Sequence, residues 1–101
     1  MARGDERACM HALLSGRVQG VGFRWFARER ARELGLGGWI DNLPDGRVEV
    51  WIEGPPERVR SMLAWLDQGP PTARVEKLDV REETPAGLES FEVQRVGSGP
   101  R

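Results

Sequence analysis

The residues of this chain best suited to chemistry lie in Gly16-Arg17-Val18-Gln19-Gly20-Val21-Gly22-Phe23-Arg24, a glycine-punctuated turn between an apolar strand and an amphipathic helix. The chemistry they suit is the binding of an oxyanion. The first N–H groups of a helix lack intrahelical partners and sit at the positive end of its dipole, a geometry that phosphate fits. Gly16, Gly20 and Gly22 carry no Cβ, so the turn can take positive φ and aim backbone N–H groups of Gln19, Gly20, Val21, Gly22 and Phe23 at one anion as a nest. Arg24, in the first helical turn, adds a rigid guanidinium fork that matches phosphate and keeps its charge at any working pH. The turn is not a Walker A loop, because no Gly-Lys-Ser/Thr follows, and the third glycine of the dinucleotide fingerprint is absent. Taken alone, the glycine spacing is equally compatible with a tight strand-to-helix turn bearing a surface arginine.

Other chemistries have little to stand on. The chain has 101 residues, enough for one domain with a small core, expected at 10–96 between flexible tails at 1–9 and 97–101. Its 15 basic and 16 acidic residues are interspersed and leave a net charge of -1, so no broad electrostatic footprint points to nucleic acid or a membrane. An anion site must therefore be local. No apolar run is long enough for a transmembrane helix or a secretory signal, and a cytoplasmic location is expected. Cys9 is the only cysteine, which excludes an intrachain disulfide and a cysteine-based metal cluster. His11, the only histidine, shares a strand face with Cys9, but a lone histidine at a strand start is more often structural than half of a Cys–His dyad. Ser-His-Asp catalysis would also need His11, and no nucleophile elbow is present.

The elements that must position the loop follow from periodicity. Met10 to Arg17 contains Ala12-Leu13-Leu14 and reads as a buried strand. From Phe23 to Leu34 the apolar residues Phe23, Phe26, Ala27, Ala31 and Leu34 recur at helical spacing, Arg28, Glu29, Arg32 and Glu33 face outward, and Gly35 is a natural stop. Both phenylalanines are expected in the core. Gly38 to Leu43 and Arg47 to Glu53 alternate around Pro44-Asp45-Gly46, which makes a hairpin with Ile40, Val48, Val50 and Ile52 on its buried face. In that register Trp39 faces Trp51 on the opposite face, as a surface cross-strand pair rather than a partner-binding patch. A second helix starts after Gly54-Pro55-Pro56-Glu57 and buries Val59, Met62, Leu63 and Leu66. Gly69-Pro70-Pro71-Thr72 ends it. Val75 to Arg81 is a further strand, Thr84 to Leu88 a polar loop, and Phe91 to Val96 a short last strand.

Strand, helix, strand, strand, helix, strand is the order of an α+β ferredoxin-like two-layer sandwich (βαββαβ), a mainly antiparallel sheet with two helices on one face. In a split β-α-β unit the first two strands run parallel with the third between them, so their C-terminal ends share one edge. The first ends at the glycine loop and the second at Asn42, whose parity points to the helix-covered face. Its amide needs a partner there, and the nearest open space is the loop beside Arg24.

At these residues the chain resembles a known family. The loop from Gly16 to Arg24, together with Gly38-Trp39-Ile40-Asp41-Asn42-Leu43-Pro44-Asp45-Gly46-Arg47-Val48-Glu49, is similar to the two signature segments of the acylphosphatases, and the likeness runs from about Met10 to Val96. The resemblance implies hydrolysis of acyl phosphates to carboxylate and inorganic phosphate, without cofactor or metal, with phosphate also an inhibitor. It implies that Arg24 binds the phosphoryl group and that Asn42 orients the attacking water. The expected partner is thus a small-molecule acyl phosphate, handled by a monomer. Two rival readings remain. One is a phosphate-, carbamoyl phosphate- or partner-binding module without catalysis, as in larger maturation proteins that carry such a domain. The other is an RNA-binding ferredoxin-like domain, although its Lys/Arg-Gly-Phe/Tyr signature is missing and Glu49 and Glu53 share the face of Trp51.

Overall fold

The computed structural model describes residues 6–94. Its elements run β1 (Ala8–Arg17), α1 (Phe23–Glu33), β2 (Gly37–Asn42), β3 (Val48–Gly54), α2 (Pro56–Gln68), β4 (Arg74–Glu82) and β5 (Phe91–Val93). The sheet order is β4-β1-β3-β2-β5. β3 pairs antiparallel with both β1 and β2, so β1 and β2 run in the same direction with β3 between them, as a split β-α-β unit requires. β5 adds to the β2 edge in parallel. The fold is ferredoxin-like.

Each helix covers the sheet with a narrow apolar stripe. α1 buries Phe23, Ala27 and Ala31, and α2 buries Val59, Met62 and Leu66. These meet Ala12 and Leu14 of β1, Ile40 of β2 and Val48, Val50 and Ile52 of β3 in one core, the alternate residues that a period of two sends to one face. α1 closes as the glycine after its last residues foretells: Leu36 N–H donates to Ala31 O at 2.9 Å and Gly35 N–H to Arg32 O at 3.1 Å, with Gly35 at φ 67°. That pair of hydrogen bonds satisfies two of the last carbonyls and turns the chain into β2.

Phe26 is not in the core. It is 38% exposed and packs edge-on against Trp25, centroids 5.1 Å apart. It lies one residue, roughly 100° of helical rotation, from Ala27, and α1 touches the sheet with too narrow a face to cover it. β1 also begins at Ala8 rather than Met10. Arg7 just before it donates from Nη2 to Leu88 O at 2.9 Å, so the expected leader is engaged from at least that residue. Residues 1–5 and the expected tail at 97–101 lie outside the described residues, as does the end of the last strand expected at Arg95 and Val96.

The face of the sheet away from the helices is built by the expected register. Trp39 pairs with Trp51, and their rings stack 6.3 Å apart at 16°. His11 lies 5.8 Å from the Trp51 ring and meets Glu49 Oε2 through Nε2 at 2.7 Å. Farther along the same face, Glu53 is fully buried. Its carboxylate accepts from Trp51 Nε1 at 2.7 Å and from the backbone N–H groups of Ala86, Gly87 and Leu88 at 3.1, 2.8 and 3.1 Å. A buried carboxylate thus fastens the loop between β4 and β5 over the sheet.

Candidate active site

The turn between β1 and α1 has the backbone that its glycines permit. Gly16, Gly20 and Gly22 take φ values of 121°, 73° and 77°. Gly22 matters most, because it is the residue from which α1 springs, in the left-handed conformation at ψ 14°. An L-residue with a Cβ is strained there. Phe26 N–H donates to Gly22 O at 3.1 Å as the first helical bond, which leaves the N–H groups of Phe23, Arg24 and Trp25 without an intrahelical acceptor.

Over that helix start lies a cavity of about 280 Å³ lined by Gly20, Gly22, Phe23, Arg24 and Asn42, with Val18, Trp25, Arg28 and Val93 completing its wall. β1 and β2 carry their C-terminal ends to the same edge, so the loop after one and Asn42 at the end of the other face a single space. The polar groups on the side chains of the lining are two guanidiniums, one carboxamide and the Trp25 indole N–H, with no carboxylate among them. An anion is the ligand such a lining favours. Among the described residues, no group of three or more His, Cys, Asp and Glu side chains is placed to hold a metal ion.

Arg24 is aimed by the sheet edge. Its Nη1 donates to Gln94 O at 2.7 Å, just past β5, which fixes the guanidinium against the strand and leaves its other donors for the cavity. Asn42 presents the complementary group. Its Oδ1 is buried and has no hydrogen-bond partner, and a buried amide oxygen in that condition requires a donor from a ligand or water.

Gln19 and Val21 are not among the residues that line the cavity, and the hydrogen bonds they make brace the loop. Gln19 Nε2 donates to Leu43 O and to Arg47 O, both at 2.8 Å, tying the glycine loop to the β2–β3 turn next to Asn42. That turn is itself held by Asp45, whose carboxylate accepts from the Arg47 N–H at 3.0 Å and Nε at 2.9 Å. Chiefly the Arg47 N–H keeps the Asp45 carboxyl below its usual range. On the other flank, Thr72 Oγ1 donates to Val21 O at 2.7 Å, so the Gly69–Thr72 segment braces the loop. Two further lining residues, Trp25 and Arg28, escape a reading based on the stripe of α1. For Arg28 the signal is the spacing of Arg24, Arg28 and Arg32, which puts three guanidiniums on one flank of the helix; Trp25 has none in the local pattern.

Known proteins match this sequence and fold closely. The family model described as Acylphosphatase matches residues 10–93. An acylphosphatase of Thermococcus kodakarensis is 54% identical over 88 residues, 87% of this chain and 97% of that relative. The structure of an acylphosphatase from Coxiella burnetii superposes with a TM-score of 0.86 at 36% identity, over 93% of this chain and 100% of that one. HypF of T. kodakarensis contains a similar region, with a TM-score of 0.74 and 33% identity over 91% of this chain but 12% of HypF. With the family model spanning nearly all described residues and a relative more than half identical, the chain belongs to the acylphosphatase family.

Proposed function

We propose that this acylphosphatase hydrolyses acyl phosphates without a metal, holding the phosphoryl group on the loop amides of Gly20, Gly22 and Phe23 and on Arg24, with Gln19 and Val21 holding the loop in shape, while the Asn42 carboxamide orients water. The observation that carries this reading is the buried, unpartnered Asn42 Oδ1 in the same cavity as Arg24. The water donates one hydrogen bond to Oδ1, which turns its lone pair toward phosphorus. As the water oxygen bonds to phosphorus, the P–O bond to the acyl group breaks, the carboxylate departs with the electron pair, and the proton of the water passes to a phosphoryl oxygen. An acyl phosphate already carries a weakly basic leaving group, so no strong general base is needed. Phosphoryl transfer asks chiefly for positioning and stabilisation of charge on the equatorial oxygens. A lining of guanidinium and amide donors without a titratable acid or base supports that division of labour.

The same proposal includes a monomer in the cytoplasm. β4, one edge of the sheet, carries Arg74, Glu76, Lys77, Asp79, Arg81 and Glu82, and charges along an edge discourage strand addition by another chain. The single cysteine is buried and free, consistent with a reducing compartment. A nucleic-acid partner is disfavoured because the outer sheet face spends its tryptophans on each other and on Glu53.

Hydrolysis of benzoyl phosphate by the purified chain tests the reading. Turnover that is inhibited competitively by inorganic phosphate and unchanged by EDTA is expected. Absence of turnover would favour a binding module without catalysis, and loss to EDTA with recovery in magnesium would overturn the metal-free mechanism.

A further inference from the structure

Arg24, Arg28 and Arg32 form a column along the flank of α1 that faces β5. The two outer members are anchored on backbone by one hydrogen bond each: Arg24 Nη1 on Gln94 O at 2.7 Å and Arg32 Nη2 on Phe91 O at 3.4 Å. Arg28 between them is not. Its Nε is buried with no hydrogen-bond partner among the described residues, its side chain is only 31% exposed, and its ionic neighbour among those residues is Glu29 Oε2 at 3.3 Å from Nη2. Glu29 is the more exposed of the two, so water screens that pair and it holds Arg28 weakly. Arg28 lines the same cavity as Arg24.

The phosphoryl group of the proposed reaction needs one guanidinium, the one at the helix start. A second, one helical turn farther along α1, has no task in that chemistry. With the phosphoryl oxygens on the glycine loop, the rest of the cavity wall, Arg28 included, is left to the acyl group. Trp25, 54% exposed, and Val93 give that wall apolar surface. Resting on the acyl phosphate reading above, we propose that the preferred substrate is the monoacyl phosphate of a short dicarboxylic acid, with Arg28 binding the terminal carboxylate and Trp25 and Val93 packing on the methylenes between. Side chains at i and i+4 on a helix are about 5–6 Å apart at Cβ, a gap that a chain of two methylenes spans. The guanidinium fork suits a planar carboxylate. Arg28 touches only the end of the substrate that does not react, so it sets specificity and leaves the breaking P–O bond to Arg24 and Asn42.

The test compares succinyl phosphate with butanoyl phosphate, which has the same chain length and no terminal charge, on the whole chain and on Arg28→Gln. The wild type is expected to prefer succinyl phosphate in kcat/KM by about ten-fold, the factor one charge-assisted hydrogen bond supplies, and to lose that preference as salt is raised. Arg28→Gln should raise KM for succinyl phosphate by about the same factor and KM for butanoyl phosphate by much less. Turnover of butanoyl phosphate in the same sample shows that the variant is folded. Arg28→Glu should reverse the preference. Equal effects on both substrates, no effect on either, or weaker inhibition by inorganic phosphate would overturn the assignment, the last by placing Arg28 at the phosphoryl group. Failure of the wild type on benzoyl and butanoyl phosphate alike would instead sink the acyl phosphate reading itself.

Discussion

Gln19 and Leu43 are joined by a hydrogen bond of 2.8 Å from the side-chain amide of one to the backbone carbonyl of the other. It crosses from the glycine loop to the residue that follows Asn42, and a twin bond to Arg47 O makes Gln19 a clamp between the two halves of the site. Replacing Gln19 by Ala removes both bonds. Leu43 O keeps the Gly46 N–H and Arg47 O keeps the Leu43 N–H, so neither carbonyl is orphaned and the loss of stability should be about 1–2 kcal/mol. The larger effect should fall on kcat, because Asn42 is no longer registered against the loop. Thermal melts with kcat and phosphate inhibition on one preparation check this; a fall in stability with kcat unchanged would show that the clamp does not reach the site.

Arg24→Ala should abolish inhibition by inorganic phosphate and nearly all turnover while the fold survives. Arg24→Lys is the sharper test, since a lysine supplies charge without the planar fork whose one arm holds Gln94 O and whose other donors remain for phosphoryl oxygens. It should retain less than about a third of wild-type kcat/KM. A lysine variant above that level would mean that charge alone is what the position contributes.

Asn42→Ala separates positioning of water from binding of phosphate. By analogy with the loss of one oriented polar group in a catalytic site, kcat should fall by roughly 10²–10³, with the inhibition constant of inorganic phosphate little changed. Parallel losses in turnover and in phosphate affinity would assign Asn42 to the phosphoryl cradle instead. Because Oδ1 lacks a partner in the protein, truncation frees a space without breaking a hydrogen bond of that oxygen, and stability should hold.

How much of this could be read from the chain depended on how local the cause was. The elements followed from periodicity and from punctuation by Gly22, Gly35 and Gly69, and the meeting of Asn42 with the glycine loop followed from topology, since β1 and β2 end at one edge. The Trp39–Trp51 pair followed from the length of the Pro44–Gly46 turn. Phe26 was misplaced because a helical apolar residue is buried only if an element lies over it, and the width of the contact between α1 and the sheet is a tertiary quantity. Gln19 gave no hint of its clamp, as a side chain reaching 24 and 28 residues away leaves no mark in local spacing. Arg28 was legible in part, one helical turn beyond Arg24, but its charge made a solvent-facing position the natural reading.

Glu53 predicts how the fold responds to acid. Burial pushes its carboxyl up, but hydrogen bonds from the Trp51 indole and from the N–H groups of Ala86, Gly87 and Leu88 together outweigh burial and hold it below its ordinary value of 4.5. Between the folded and the ordinary value the unfolded chain binds a proton that the native chain does not, so stability rises with pH there. The contribution of Glu53 is complete above about 4.5 and is lost as pH falls through the folded value, with the loop over Cys9 and Trp51 the first segment to release. Glu53→Gln turns an amide toward backbone N–H donors that need an acceptor, and should cost about 2–3 kcal/mol at neutral pH while flattening the acid limb of the stability curve. Denaturant melts of both proteins between neutrality and pH 3, with hydrogen exchange at Ala86 to Leu88, check the slope and the place where opening begins. An acid limb as steep in the variant as in the wild type would assign the acid sensitivity to other carboxylates.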